Sequence, residues 1–269
     1  MTTIVIAARR DSGDWADVDL CIRSCLHYSD LPIVLAWSGP IPPPITGPRI
    51  TRVEQPKGLE RFGPAFEFAC GQTVDDELIV MNDDAIMHPD TVDLLLEDVE
   101  KLRANSYKVG WVACRSTYIR PHQRALGPEE QVLKAPTISP VCAYVDREAL
   151  AVTSWPPIDW YSDDLMCWEM AHHGYEHFVS RSFVYHIGER STRERGETRQ
   201  DLHDVGLAWI REHRPEFYAH MTKACDGGTE RVPVGVEDGV GTGDGVQLLA
   251  RLKGMRDELR HNEPMVHTG

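Results

Sequence analysis

Glu77-Leu78-Ile79-Val80-Met81-Asn82-Asp83-Asp84 is the stretch that decides the fold. A short apolar run bounded by polar residues reads as a buried strand over 77–81. The chain leaves that strand directly into an amide and two carboxylates. Upstream, residues 3–8 form another Ile/Val-rich strand that runs into Arg9-Arg10-Asp11-Ser12-Gly13. Asp14 or Ser12 is placed to cap the next helix. On that helix Val18, Cys21, Ile22, Cys25 and Leu26 recur at spacings of three and four, which puts Cys21 and Cys25 on its buried stripe. Strands follow at 32–37 and 50–54, separated by a surface connection over 40–48 that holds five prolines. Phe62, Ala65, Phe66, Ala69 and Cys70 mark a second amphipathic helix. Downstream of the acidic tripeptide, Pro89 stands where a helix begins, and Val92, Leu95, Leu96, Val99 and Leu102 continue it.

Strands alternating with helices predict an α/β fold with a mixed, mostly parallel sheet flanked by helices. Such sheets gather ligands at the carboxyl ends of their strands. Arg9-Arg10-Asp11 and Asn82-Asp83-Asp84 both lie at such ends. The remaining pattern is a strand at 109–114, a long polar loop at 115–136, a strand at 141–146, an aromatic, proline-rich stretch at 155–161, a helix at 163–173 and a strand at 178–185. Residues 200–224 are helical in pattern, divided by Pro215. Residues 225–246 are Gly-rich and read as a linker, and 247–260 as a last helix before the tail that ends at 269. The expected organisation is thus a main domain over 1–199, in two halves meeting near 105, then a helical extension over 200–224, a linker over 225–246 and a terminal segment over 247–269.

Composition bounds the function. The 269 residues carry 42 acids against 28 bases, a formal charge of −14, which argues against binding along a nucleic-acid backbone. The longest apolar runs are strand-length, so no transmembrane segment is expected. Seven cysteines, an odd number at irregular spacing, point to reduced thiols and a cytoplasmic protein without a structural zinc site.

Two adjacent carboxylates repel unless water or a cation relieves them. A hard divalent ion held by one or two carboxylates, with waters and substrate phosphates completing its shell, is the arrangement magnesium favours. Helix capping is the plain alternative for Asp83 and Asp84. With this motif in place, the order of strand, Arg-rich loop, helix, strand ending in Ser38-Gly39, Gly63-Pro64-Ala65 through Gly71, strand and Asn82-Asp83-Asp84 resembles the nucleotide-sugar glycosyltransferases of the GT-A (Rossmann-like) fold, in particular glycosyltransferase family 2. Ser162-Asp163-Asp164, Cys167, Gly174-Tyr175, Val184-Tyr185-His186-Ile187-Gly188 and Ser191 resemble that family's acidic acceptor-site motif, helix, Gly-Tyr turn, strand and terminal histidine. The likeness covers about residues 3–195.

The resemblance implies a metal-dependent, inverting transferase that moves a sugar from a nucleoside-diphosphate sugar, a UDP-sugar, to the hydroxyl of an unnamed glycan, protein or small-molecule acceptor. It implies Asp84 as the main ligand of Mn²⁺ or Mg²⁺, Asp83 at the ribose or the metal shell, and His186 as the second ligand. An imidazole favours manganese. It implies donor contacts from Ala8, Arg9, Arg10, Ser38 and Gly63, and a diphosphate clamp from Arg190, Arg193 or Arg195. The general base falls on Asp163, with Asp164 its alternative; helix capping is the other role open to Asp163. Trp155, Trp160 and Tyr161 either stack on sugar or pack in the core. Two positions depart from the family. Trp37-Ser38-Gly39 stands where an acid often follows the second strand, and Phe68 and Ala69 stand where Arg and Asn are usual. The donor base is therefore left open. A non-catalytic glycan-binding or scaffold protein and a nucleotidyltransferase are the competing readings. A zinc hydrolase built on His172, His173 and His177 lacks HExxH order, and these read as surface histidines.

Overall fold

A computed structural model describes residues 1–188 and 195–226. Its elements are β1 (Thr2–Arg9), α1 (Ala16–Tyr28), β2 (Ile33–Ser38), β3 (Ile50–Glu54), α2 (Phe62–Cys70), β4 (Glu77–Asn82), β5 (Ala85–Met87), α3 (Thr91–Ala104), β6 (Val109–Ser116), β7 (Leu133–Ala135), β8 (Cys142–Asp146), α4 (Arg147–Leu150), α5 (Ser162–His172), β9 (Glu176–His186), α6 (Arg199–His213) and α7 (Pro215–Asp226). Nine strands form one sheet in the order β3-β2-β1-β4-β8-β6-β9-β5, with β7 also paired to β9. Strands β3, β2, β1 and β4 are mutually parallel. β8 is antiparallel to both β4 and β6, and β6 is parallel to β9, so six strands point the same way. The expected mixed, mostly parallel α/β sheet is present.

Alternation along β1 builds the two core layers. Ile4, Ile6 and Ala8 face one side with Val18, Cys21, Ile22 and Cys25 of α1 and Leu95 and Val99 of α3. Val5 faces the other side, among Phe66 and Ala69 of α2 and Met166 and Met170 of α5. Burial of each large aliphatic side chain contributes about 1.5–3 kcal/mol. A third cluster, Ile158, Tyr161, Leu165, Ile210 and Phe217, fastens α6 and α7 to α5. Cys21, Cys25, Cys70, Cys114, Cys142 and Cys167 are free and buried. No helix among these residues is long and apolar enough to cross a membrane.

The structure corrects several expectations. The stretch 115–136 is not one long loop: β6 carries Arg115 and Ser116, a 3₁₀ turn spans Pro121–Gln123, and β7 pairs with β9. Helix α3 begins at Thr91 after Asp90, not at Pro89, because the chain first spends Ala85–Met87 on β5. Neither Asp14 nor Ser12 is the cap residue of α1. Trp15 holds that position, and Asp14 Oδ1 accepts from the Ala16 N–H at 3.1 Å. His172 and His173 are exposed, but His177 is 2% exposed on β9. It accepts from the Trp111 N–H through Nδ1 at 3.1 Å and bonds the Cys167 carbonyl through Nε2 at 3.0 Å. That makes it a neutral core histidine, and a Cβ at Gly110 would stand 2.7 Å from its ring. Residues 227–246 and 247–269, read as linker and terminal helix, lie outside the described residues.

Candidate active site

Because six strands share one direction, the ends of β1, β4, β6 and β9 meet at one edge of the sheet. A cleft of about 1360 Å³ opens there, lined by Ala8, Arg9, Asp83, Asp84, His186, Asp163 and Asp164 among others. Its first wall is set by β5. After Asn82-Asp83-Asp84 the chain turns back antiparallel to β9, which puts Ala85 opposite His186. The Asp84 and His186 side chains, 5% and 10% exposed, consequently meet with Oδ1 and Nε2 3.1 Å apart. The other Asp84 oxygen accepts the Gly188 N–H at 3.0 Å. Gly188 has φ +85°, and a Cβ there would lie 2.6 Å from the Tyr118 ring. Burial opposes the Asp84 charge, but His186, Arg10 and the Gly188 N–H hold its pKa below the usual carboxylate range.

Imidazole chemistry bears on what this pair could hold. His186 Nδ1 lies 2.7 Å from the Tyr118 carbonyl, an acceptor, so Nδ1 carries a proton. Nε2 of the neutral ring is then a lone pair facing a carboxylate oxygen. That contact is repulsive unless the ring is charged or a cation sits against both atoms. The donor set, one carboxylate and one imidazole with its far nitrogen pinned by a carbonyl, fits a divalent ion whose remaining ligands are water and phosphate. Among the described residues no group of three or more His, Cys, Asp or Glu side chains converges as a metal cage.

Asp83 is placed differently. Its Oδ2 accepts from Arg10 Nη1 at 2.6 Å, and the two side chains are 8% and 3% exposed. Burial, opposed by Arg10 and reinforced by Asp84, pushes Asp83 up to about 6. Arg10 is thus committed to a buried ion pair and does not line the cleft, whereas Arg9 does and pairs with Asp11 at 2.8 Å. Ser38 does not line the cleft, and its carbonyl accepts the Arg10 N–H at 3.1 Å. Gly63 does not line the cleft either. A Cβ there would stand 2.1 Å from the Pro156 carbonyl oxygen, so its lack of a side chain lets α2 dock on the 155–156 backbone.

The opposite wall is the N-terminus of α5. Tyr161, at φ +70°, turns the chain so that Asp163 and Asp164 occupy the first helical turn. Between them sits Arg120, which the sequence pattern does not single out. Its Nη1 reaches Asp164 Oδ1 at 2.5 Å, and its Nη2 reaches Asp164 Oδ2 at 3.0 Å and Asp163 Oδ2 at 2.8 Å. Ser139 Oγ also donates to Asp163 Oδ2 at 2.8 Å. Burial raises the Asp163 pKa above the usual range; Arg120 offsets this in part, and Asp164 adds to the rise.

Trp155 packs against the core beside α2, and Trp160 packs against the cluster that joins α5 to α6 and α7 while also lining the cleft. Arg195 is already engaged. It donates to Asp159 Oδ2 and Glu197 Oε2, each at 2.6 Å, and Arg61 pairs with the same two acids at 2.8 and 2.6 Å. Arg190 and Arg193 lie outside the described residues.

No protein-family model matches the chain, and no curated protein matches it significantly. Solved structures do. S. aureus TarS 1–349 superposes with a TM-score of 0.50 at 10% identity, covering 72% of this chain and 63% of that one. The same protein in complex with UDP-GlcNAc superposes with a TM-score of 0.54 at 12% identity, covering 79% and 66%. The chain therefore spans just under two thirds of the length of the structures it matches. At such identities the likeness is one of fold. The chain has a mixed, mostly parallel α/β sheet flanked by helices, a fold that resembles that of TarS.

Proposed function

We propose that the protein is a nucleotide-sugar glycosyltransferase that uses a UDP-sugar and a divalent ion and inverts the anomeric carbon. The observation that carries this reading is one cleft with two unlike walls: the Asp84–His186 pair on one side and the Asp163–Asp164–Arg120 cluster on the other. The fold shared with a protein seen in complex with UDP-GlcNAc supports the choice of donor. Asp84 and His186 would hold Mn²⁺ or Mg²⁺, which when bound offsets the charge gained by the departing diphosphate. Asp83 lines the same cleft with its Oδ2 tied to Arg10.

The chain's own residues then do the rest. Asp163 accepts the proton of the attacking acceptor hydroxyl, worth roughly 10²–10⁴-fold. Its pKa, raised by burial, makes it a stronger base than a solvated aspartate. A displacement with one base and one leaving group proceeds in line and inverts. Trp160 offers an apolar face beside the acids for a sugar ring.

The test is UDP release from a panel of UDP-sugars with Mn²⁺, followed by NMR of the product. Turnover with inverted configuration supports the reading. Turnover with retention defeats the inversion, and no turnover of any nucleotide sugar defeats the enzyme. A non-catalytic glycan-binding protein is the second reading, motivated by Trp37-Ser38-Gly39 in place of an acid at the end of β2. Glycan binding that is insensitive to chelator and to Asp84→Ala would select it.

A further inference from the structure

We infer that Arg120 is a positioning residue that divides the two acids of α5 between different tasks, holding Asp164 in a fork and leaving Asp163 Oδ1 as the oxygen that receives a proton. The inference rests on the transferase reading above for its chemistry, and on side-chain geometry for its assignment. Both oxygens of Asp164 face the guanidinium, Oδ1 with Nη1 at 2.5 Å and Oδ2 with Nη2 at 3.0 Å. Two parallel N–H···O⁻ bonds are the strongest arrangement an arginine makes with a carboxylate, and they consume the acceptor capacity a base needs. Asp163 is bound on one side. Its Oδ2 takes Arg120 Nη2 and the Ser139 hydroxyl, each at 2.8 Å, whereas its Oδ1 takes one neutral partner among the described residues, the Asp164 N–H at 3.1 Å.

Arg120 is itself locked. Its Nε donates to Ser139 Oγ at 2.6 Å and its Nη1 to Thr137 Oγ1 at 3.1 Å. Its side chain is 24% exposed, against 16% and 19% for the two acids, so all three sit in the cleft wall, not on the open surface. The other titratable groups facing this cluster are Cys167 on α5 and His122 in the 3₁₀ turn, whose Nε2 is occupied by the Thr137 carbonyl at 2.9 Å. In the transfer step the acceptor O–H bond breaks and its proton goes to Asp163 Oδ1. The freed oxygen pair forms the new bond to the anomeric carbon, and the bond from that carbon to the phosphate oxygen breaks with its electrons leaving on the diphosphate.

Two readouts test this on the full chain. In ¹³C-carboxylate NMR titration, Arg120→Gln raises the Asp163 midpoint by about one unit or more, since an adjacent guanidinium lowers a carboxylate by about 1–3; Arg120→Lys, which keeps a charge but not the fork, raises it less. An unchanged midpoint in Arg120→Gln overturns the inference whether or not any sugar is transferred. In UDP-GlcNAc turnover, Asp163→Asn lowers kcat by about 10²-fold or more, and Asp164→Asn, which frees the fork, lowers it about tenfold. Equal losses overturn the division of tasks. Absence of turnover of every UDP-sugar of the panel in the parent protein, with the titration shift intact, defeats the transferase reading and leaves the assignment of Arg120 standing.

Discussion

His186 Nε2 lies 3.1 Å from Asp84 Oδ1 while the opposite nitrogen of the same ring faces the Tyr118 carbonyl at 2.7 Å. One side of the imidazole is fixed by the backbone, so the other side can answer only to the carboxylate and to whatever cation joins it. Calorimetry of UDP with Mn²⁺ checks this directly. Asp84→Asn and His186→Ala each weaken metal-dependent binding by at least about tenfold. Binding that survives both substitutions rules the pair out as the metal site.

Gly188 links the same pair to the fold. Its N–H reaches Asp84 Oδ2, and its φ of +85° and the Tyr118 ring leave no space for a Cβ. Gly188→Ala is expected to cost about 1–3 kcal/mol through overpacking and to weaken nucleotide binding along with it. Gly127→Ala, at a position with nothing within 4 Å, is the control and stays within about 0.5 kcal/mol. Urea unfolding of the two variants makes the comparison; equal midpoints would contradict it.

The Arg10–Asp83 ion pair is buried almost completely. Removing one partner strands a charge in the interior, so Arg10→Met or Asp83→Leu alone costs about 3–5 kcal/mol. The double variant recovers most of that loss, because both charges leave together. A double-mutant cycle in urea measures the coupling, and additive losses would show that the pair is not the reason Arg10 is buried.

His177 gives the fold a pH dependence. Burial lowers its pKa below the ordinary value. An unfolded histidine titrates near 6.5, so below about that pH the unfolded chain binds the extra proton. Its contribution to stability is therefore complete above about pH 6.5 and declines as pH falls toward the folded pKa, at up to about 1.4 kcal/mol per pH unit. His177→Gln flattens this slope between about pH 7 and 5. Denaturant midpoints across that range check it, and an unaltered slope would falsify the assignment.

What the sequence determined by itself is the local and periodic part. Apolar runs at 3–8, 32–37 and 77–81 specify buried strands, and the spacing of Val18, Cys21, Ile22 and Cys25 specifies the buried face of α1, because side-chain period follows backbone geometry and needs no distant partner. The acids after β4, Asp83 and Asp84, and those opening α5, Asp163 and Asp164, are legible as local motifs. Tertiary structure alone decided which of these groups touch. β5 is three apolar residues, too short for a periodic signal, yet its pairing with β9 brings Asp84 to His186. Arg120 lies in an irregular connection, and its role exists only because β6 and α5 place that connection over both acids. Arg10 stands at a strand end as a ligand-binding residue would, but packing turned it inward to Asp83. Ion pairs between segments far apart in the chain leave no mark on either segment's own pattern, since the energy that selects them is released only when the folded sheet sets their distance.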